Sequence, residues 1–416
     1  MRFLESVRLL AKRLLPSSVV DRIEPYVSVL PDRIGARVNA AKYAEMPAGP
    51  SDPLVVGEAA VRLIVGPNNT AGQAFHWARA VSEQPDRAAI SLVHTADEGF
   101  RFAAHREVPG LLASRSSDWQ RAEFAAITAQ ATHVLIESAQ PLFGPLFRGD
   151  VVREVRALQR HGVRVAIVAH GSDVRDVRAH IAREPLSPYA RRELVPDADV
   201  LDAAAARTRS ALARLGVPLF GSTPSVQFDL PSARWLPVVV DPDAWAVDTV
   251  PLLTKRPVVV HAPSHAGVKG SEVADEVLGR LHQQGLIEYR RLTGIPHAEI
   301  RDAYRSADIV VDSLRMGGYG VSACEAMAAG RLVLSYVNDF SRATVETHLG
   351  QSVPIWPADA DSLESAVLAV LADRERAREL AARGPGFVRR GHDGRASAAA
   401  LAAFLDAEHS GAPLLG

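Results

Sequence analysis

Cysteine is almost absent from this sequence, since Cys324 is the only one in 416 residues. A lone cysteine cannot form an intrachain disulfide, and it excludes zinc or iron–sulfur sites that need several thiolates. No charge sign dominates either, with 47 Lys and Arg against 48 Asp and Glu. Because proteins that hold duplex nucleic acid usually carry a basic excess, no nucleic-acid partner is expected.

Long apolar runs are also missing. No stretch of about 18 uninterrupted apolar residues occurs, so the sequence predicts no transmembrane helix. Charges at Arg2, Glu5 and Arg8 interrupt the N-terminal apolar residues too early for a secretory signal peptide. Together with the cysteine usage, this pattern favours a cytoplasmic protein.

Residues 1–60 predict an N-terminal helical extension. Apolar residues recur near helical spacing over residues 2–15, basic residues fall between them, and Pro16 ends the helix. Two interpretations stay open. The helix lies on a membrane surface as a peripheral contact, or it docks on the domain through its apolar stripe.

The rest of the chain alternates short apolar strands with helices, in two series. Strands are predicted at 61–65, 88–93, 132–136 and 163–169, then at 257–261, 288–292, 309–312 and 332–336. Helices are predicted at 74–82, 119–129, 151–160 and 198–215, then at 271–284, 297–305, 322–329 and 363–382. The pattern predicts an α/β protein with two doubly wound, Rossmann-like domains, 61–250 and 251–390, which face a shared cleft. Residues 391–416 would form a C-terminal helix that returns to the first domain.

A glycine-rich loop follows the strand at 309–312. Gly317, Gly318 and Gly320 let the backbone approach a ligand, and a helix that begins near Val321 adds free N–H groups that suit a phosphate. Glu325, one turn into the helix, could accept hydrogen bonds from ribose hydroxyls. The alternative is a tight strand–helix turn with a solvated glutamate.

A second small-residue loop contains the lysine Lys269. It follows the strand at 257–261 and holds Ser264, His265 and Gly267 as further polar or flexible positions. An ammonium at this place suits a diphosphate. The Walker A spacing is absent, and a lysine in a surface turn is the alternative.

Polar residues also follow the strands of the first series. His170 and Asp173 come after the strand at 163–169, and Glu137 and Ser138 come after the strand at 132–136. Asn68, Asn69 and Gly72 follow the first strand. At strand ends, such residues suit an acceptor's hydroxyl groups, with a structural role for His170 as the alternative. No histidine spacing indicates a metal site, and no dinucleotide fingerprint or serine nucleophile elbow occurs.

Three motifs carry a family resemblance. Gly-Val-Lys-Gly at 267–270, Tyr-Arg-Ser-Ala-Asp-Ile-Val-Val-Asp at 304–312 and Gly-Tyr-Gly-Val-Ser-Ala-Cys-Glu-Ala-Met-Ala-Ala-Gly at 318–330 are similar to retaining glycosyltransferases of the GT-B architecture, the family-4-like group 1 enzymes. His-Gly-Ser-Asp-Val-Arg at 170–175 resembles their acceptor domain. The resemblance covers about residues 61–400.

The resemblance implies roles for these residues. Lys269 would hold the diphosphate of a nucleotide sugar, Glu325 the ribose, and the amides of Gly318, Tyr319 and Gly320 the sugar and phosphates. Together with Lys269, Glu137 and His170 are the candidate catalytic residues. Such enzymes are usually metal-independent, so no cofactor is expected beyond the nucleotide sugar as co-substrate.

This chain departs from the family pattern at three positions. Gly317 stands where the family has the first of two glutamates, and Ser264 stands where it commonly has an arginine. Glu137 stands where related sequences often have a histidine. The predicted function is transfer of a sugar to a saccharide or lipid-linked acceptor with retention of configuration, as in bacterial polysaccharide biosynthesis. A non-catalytic binding or partner subunit and a nucleotide-sugar epimerase are the alternatives.

Overall fold

The computed structural model of the protein describes residues 31–32, 34, 46–50, 52–95 and 102–407. The predicted N-terminal helix at 2–15 lies outside these residues. The described chain packs into two compact units. Unit 1 comprises residues 1–168 and 210–218, and unit 2 comprises residues 169–209 and 219–416. This grouping follows Cα packing and differs from the sequence segments 61–250 and 251–390, which stay predictions.

The elements alternate along the chain as the sequence predicts. The first series comprises β1 (Val61–Gly66), α1 (Gln73–Ser82), β2 (Arg87–Thr95), β3 (Arg106–Pro109), α2 (Gly110–Arg115), α3 (Ser117–Gln130), β4 (His133–Glu137), α4 (Val151–Arg160), β5 (Arg164–Ala169), α5 (Val177–Arg183), α6 (Ala198–Leu212), β6 (Leu219–Gly221) and β7 (Arg234–Trp235).

The second series begins with a short helix, and its last four elements are helices. It comprises α7 (Pro242–Trp245), β8 (Val258–His261), α8 (Ala266–Lys269), α9 (Ser271–Gln283), β9 (Glu288–Arg291), α10 (His297–Ser306), β10 (Ile309–Val311), α11 (Val321–Ala328), β11 (Leu332–Ser335), α12 (Asp339–Leu349), β12 (Trp356–Pro357), α13 (Leu363–Ala372), α14 (Arg374–Ala382), α15 (Gly384–Gly391) and α16 (Arg395–Leu405).

The strands of unit 1 form a parallel array in the order β3-β2-β1-β4-β5. Every residue of β4 is buried, as expected of a strand with both faces covered. Helix α4 begins at Asp150, whose carboxylate accepts hydrogen bonds from the N–H groups of Val152 and Arg153.

Unit 2 contains a five-stranded parallel sheet in the order β12-β11-β10-β8-β9. Successive residues of its strands face opposite sides: Val260 and Val310 join one apolar core, and Val259 and Val311 join the other. Helices cover both faces, so the predicted α/β architecture is confirmed. Helix α16 is grouped with unit 2, where Ser397 Oγ donates to the carbonyl of Pro237.

Some elements were not predicted. Asn338 caps the N-terminus of α12, where its side chain accepts a hydrogen bond from the N–H of Ser341. Asp176 caps α5 in the same way. The predicted helix at 363–382 is two helices, α13 and α14, which meet at Asp373. None of the helices within the described residues has both the length and the hydropathy that crossing a bilayer requires.

Candidate functional site

A cavity of about 590 Å³ lies within unit 2. Its walls come from five stretches of chain, 170–175, 189–201, 223–225, 265–269 and 313–320. Seven predicted site residues line it: His170, His265, Gly267, Lys269, Gly318, Tyr319 and Gly320. The volume lies in the range of small-molecule sites.

Strand register brings the two C-terminal loops to the same edge of the sheet. Strands β8 and β10 are parallel neighbours, and His261 pairs with Val311 at their carboxyl ends. The lysine loop begins after His261 and the glycine loop after Val311. The backbone N–H of Leu314 donates to the carbonyl of Lys269 at 3.0 Å, which ties one loop to the other.

Lys269 ends the short helix α8 and has a carboxylate partner. Its ammonium donates to Asp312 Oδ1, and the two side chains are 19% and 3% exposed. The second oxygen of Asp312 is buried and has no hydrogen-bond partner among the described residues. An ammonium has three N–H donors, so this bond leaves two of them for a ligand.

The glycine loop offers free amides. Within the described part of the chain, the backbone N–H groups of Gly318, Tyr319 and Gly320 donate no hydrogen bond. They precede the first turn of α11, whose unpaired N–H groups carry partial positive charge. The side chain of Tyr319 is buried and bonds His392, so only the backbone of this residue can serve a ligand as predicted.

Gly317 has a left-handed backbone, and two polar side chains lie close to the position of a Cβ there. Its φ is +71°, and a Cβ there would lie 2.7 Å from Asn338 Nδ2 and 3.0 Å from Glu184 Oε1. The carboxylate of Glu184 accepts from Tyr336 and Asn338, at 2.6 and 2.7 Å. These groups occupy the space beside Gly317, so a glutamate at this position would have to displace them.

Glu325 is buried against a histidine that the sequence analysis did not single out. Its Oε1 lies 2.7 Å from His297 Nε2. This bond to Glu325 raises the pKa of His297. Burial raises the pKa of Glu325, and the bond to His297 opposes that shift. Glu325 Oε2 has no hydrogen bond among the described residues, which leaves it able to accept one.

The loop after β5 is held by its own carboxylate. Asp173 accepts hydrogen bonds from the N–H groups of His170 and Gly171, at 2.8 to 3.0 Å. The imidazole of His170 lies 3.1 Å from Ser222 Oγ and lines the cavity. Ser264, Val321, Asp173, Gly317 and Glu325 belong to unit 2 but do not line the cavity.

The remaining predicted residues form a cluster in unit 1. The buried carboxylate of Glu137 accepts from the N–H groups of Asn69 and Thr70, at 2.6 and 3.3 Å. Gly72 N donates to the carbonyl of Asn69. Asn68 precedes this turn, and Ser138 follows Glu137 with a φ of +53°. These contacts order the loop after β1, and a catalytic role for Glu137 stays a prediction.

The sequence assigned no role to four residues near the site: Asp312, Ser313, Arg175 and Tyr189. Ser313 lines the cavity and is 3% exposed, and its hydroxyl has no partner among the described residues. Arg175 and Tyr189 line the cavity and bond each other at 3.1 Å. By contrast, the buried Arg315 pairs with Glu272 at 2.6 Å and does not line the cavity. It therefore does not replace the arginine missing at Ser264.

Among the described residues, no three His, Cys, Asp or Glu side chains lie together in a way that could hold a metal ion.

The comparisons with known proteins concern both sequence and fold. Residues 269–386 match the family model described as Glycosyl transferases group 1. No curated protein sequence matches the chain.

Solved structures share the fold at low identity. Sucrose-phosphate synthase from Thermosynechococcus elongatus is 14% identical with a TM-score of 0.53, covering 81% of this chain and 96% of that one. A glycosyltransferase from Rickettsia africae is 10% identical with a TM-score of 0.51, covering 83% and 97%. The catalytic domain of starch synthase IV from Arabidopsis thaliana, bound to ADP and acarbose, is 10% identical with a TM-score of 0.50, covering 82% and 100%.

Proposed function

We propose that this chain, which has the GT-B fold and whose residues 269–386 match the family model of glycosyl transferases group 1, transfers a sugar from a nucleotide-diphosphate sugar to an acceptor hydroxyl. The observation that carries the proposal is the cavity of unit 2, where Lys269 and three free amides of the glycine loop face the same space. The starch synthase structure of the same fold is bound to ADP, a nucleoside diphosphate.

The leaving diphosphate would gain negative charge in the transition state. Two N–H donors of Lys269, the amides of Gly318, Tyr319 and Gly320, and the N-terminus of α11 would stabilise that charge. Such fixed donors are often the largest catalytic contribution, and removal of one commonly lowers the rate ~10²–10³-fold. These groups supply the charge without a metal ion or an organic cofactor, so we propose a metal-independent reaction.

Glu325 would bind the ribose through its second oxygen. His297 holds Oε1 at 2.7 Å, so the carboxylate is already oriented, and Oε2 is left to accept from a hydroxyl group. His170 on the cavity wall would contact the acceptor, a saccharide or a lipid-linked glycan. We propose that the reaction retains the anomeric configuration of the sugar, with the leaving diphosphate itself taking the acceptor's proton.

The test is turnover of nucleotide sugars by the purified chain. We would incubate UDP-, ADP- and GDP-sugars with a panel of saccharide and lipid-linked acceptors and measure both nucleoside diphosphate release and the anomeric configuration of the product. We expect release that depends on an acceptor and is lost in Lys269→Met.

Two outcomes would contradict the proposal in different ways. Tight nucleoside diphosphate binding without turnover on any acceptor would favour a non-catalytic subunit. Conversion of the nucleotide sugar itself without an acceptor would favour an epimerase.

A further inference from the structure

Arg175 brings an unneutralised positive charge to the cavity wall. Among the described residues, no carboxylate oxygen lies within 4 Å of its guanidinium. Its one hydrogen bond goes to Tyr189 Oη at 3.1 Å, and the guanidinium carbon lies 5.9 Å from the Tyr189 ring centroid. Burial raises the pKa of Asp229, and the charge of Arg175 opposes that shift, but the two residues make no ion pair.

The loop after β5 is built to hold this arginine in place. Gly171 has a φ of +116°, and a Cβ there would lie 2.7 Å from Arg175 Nη2. The guanidinium thus lies against the backbone of Gly171 while Tyr189 fixes its other end. An arginine held from two sides loses less entropy when it binds a ligand than a freely moving one.

The other cations of this region already have acidic partners. Lys269 bonds Asp312, and Arg315 bonds Glu272. Asp197 is the one acidic side chain among the described residues that line the cavity, and it is exposed. Unlike these cations, Arg175 has no bonded carboxylate among the described residues that would neutralise its charge.

Several unsatisfied groups at the cavity wall can donate hydrogen bonds. Among the described residues, Ser313 Oγ has no hydrogen-bond partner, and the amides of Gly318, Tyr319 and Gly320 have no acceptor. A buried polar group without a partner costs about 1–3 kcal/mol. A ligand with several acceptor oxygens and negative charge would satisfy these donors together with Arg175.

We propose that Arg175 binds the diphosphate of the nucleotide sugar as a second cation beside Lys269, with Ser313 Oγ as a further donor. This inference rests on the proposed function and adds to it a residue that neither the lysine loop nor the glycine loop provides. It also assigns a source for the positive charge that Ser264 does not supply.

The test is calorimetric titration of UDP, ADP and GDP and of the matching nucleosides into wild type, Arg175→Gln and Arg178→Gln. Arg178 is an exposed arginine three residues away on α5, so its variant is the matched control. We expect Arg175→Gln to weaken diphosphate binding about 10-fold or more, as for a lost charged hydrogen bond. Nucleoside binding should stay unchanged, and Arg178→Gln should behave as wild type.

Equal diphosphate affinity in wild type and Arg175→Gln, while Lys269→Met binds weakly, would overturn the role of Arg175 and leave the proposed function standing. If wild type binds none of the three diphosphates, the proposed function fails and this inference falls with it. Unchanged nucleoside binding checks that the variant is folded.

If Arg175→Gln does not fold, Tyr189→Phe removes the bond that holds the guanidinium, and it should weaken diphosphate binding about 3-fold. An unchanged affinity there would count against the inference.

Discussion

The ammonium of Lys269 donates to the carboxylate of Asp312, a residue 43 positions later in the chain. The carboxylate is almost fully buried, and its second oxygen has no partner among the described residues. Lys269 is thereby held at the cavity wall before any ligand arrives. The pairing also gives Lys269 a part in stability, because without it Asp312 would be a buried unpaired charge.

The first prediction concerns this ion pair. Lys269→Met should lower the free energy of unfolding by about 3 kcal/mol, because it leaves the buried carboxylate of Asp312 without its positively charged partner. Urea unfolding would measure the change. Lys269→Met/Asp312→Asn should recover most of the loss, since no charge is then left unpaired. A double variant no more stable than Lys269→Met would contradict this account of the pair.

The second prediction concerns the glycine loop. Gly317→Ala should destabilise the protein by roughly 1–3 kcal/mol, because alanine at a φ of +71° is strained and its Cβ would meet Asn338 and Glu184. Gly320→Ala is the control within the same loop, since nothing lies within 4 Å of a Cβ there. Thermal unfolding of both variants tests the contrast. Equal melting temperatures for the two would show that position 317 is not crowded.

The third prediction follows from the bond between His297 and Glu325. A histidine whose pKa is raised on folding contributes stability that is fully present below its unfolded pKa, near 6.5, and is lost as the pH rises through the folded pKa. His297→Gln should therefore destabilise more at pH 5.5 than at pH 8.5 in urea titrations. In a Glu325→Gln background this pH dependence should shrink, because the partner that raises the pKa is gone. A pH-independent effect of His297→Gln would refute the pairing.

The fourth prediction concerns a buried carboxyl group in unit 1. Burial raises the pKa of Glu154 to about 8, although the N–H groups of Leu142 and Phe143 donate to it. The stabilisation that the neutral carboxyl group of Glu154 contributes is fully present below its ordinary pKa of 4.5, and it is lost as the pH rises through the folded pKa of about 8. Glu154→Gln should flatten the decline in unfolding free energy across this range. Glu107→Gln, at an exposed position, is the control and should leave the decline as in wild type.

The sequence predicted the strand–helix alternation because its signals are local. The apolar run that ends at Ala169 and the glycines that follow helices, such as Gly330, mark elements within a few residues of each other. The lysine and glycine loops could be placed at one edge of the sheet because each follows a predicted strand, and parallel strands end on the same side.

The pairings at the site could not be predicted in this way. His297 and Glu325 are 28 residues apart, and Lys269 and Asp312 are 43 apart, so only the register of β8 against β10 and the packing of α10 on α11 bring them together. Arg175 belongs to the motif at 170–175, but its role could not be predicted, because a guanidinium without an acidic partner is recognised only once its surroundings are known. The cap residues Asp176 and Asn338 were signals for α5 and α12 that the sequence did contain.

The central claim is that the cavity beside Lys269 binds a nucleoside diphosphate. The most direct measurement is calorimetric titration of wild type and Lys269→Met/Asp312→Asn with UDP, ADP and GDP, because the double variant removes the ammonium without leaving a buried charge unpaired. The account predicts that one diphosphate binds wild type selectively and that the double variant binds it at least about 10-fold more weakly. Equal affinity in the two proteins, or no binding of any diphosphate to wild type, would contradict the claim.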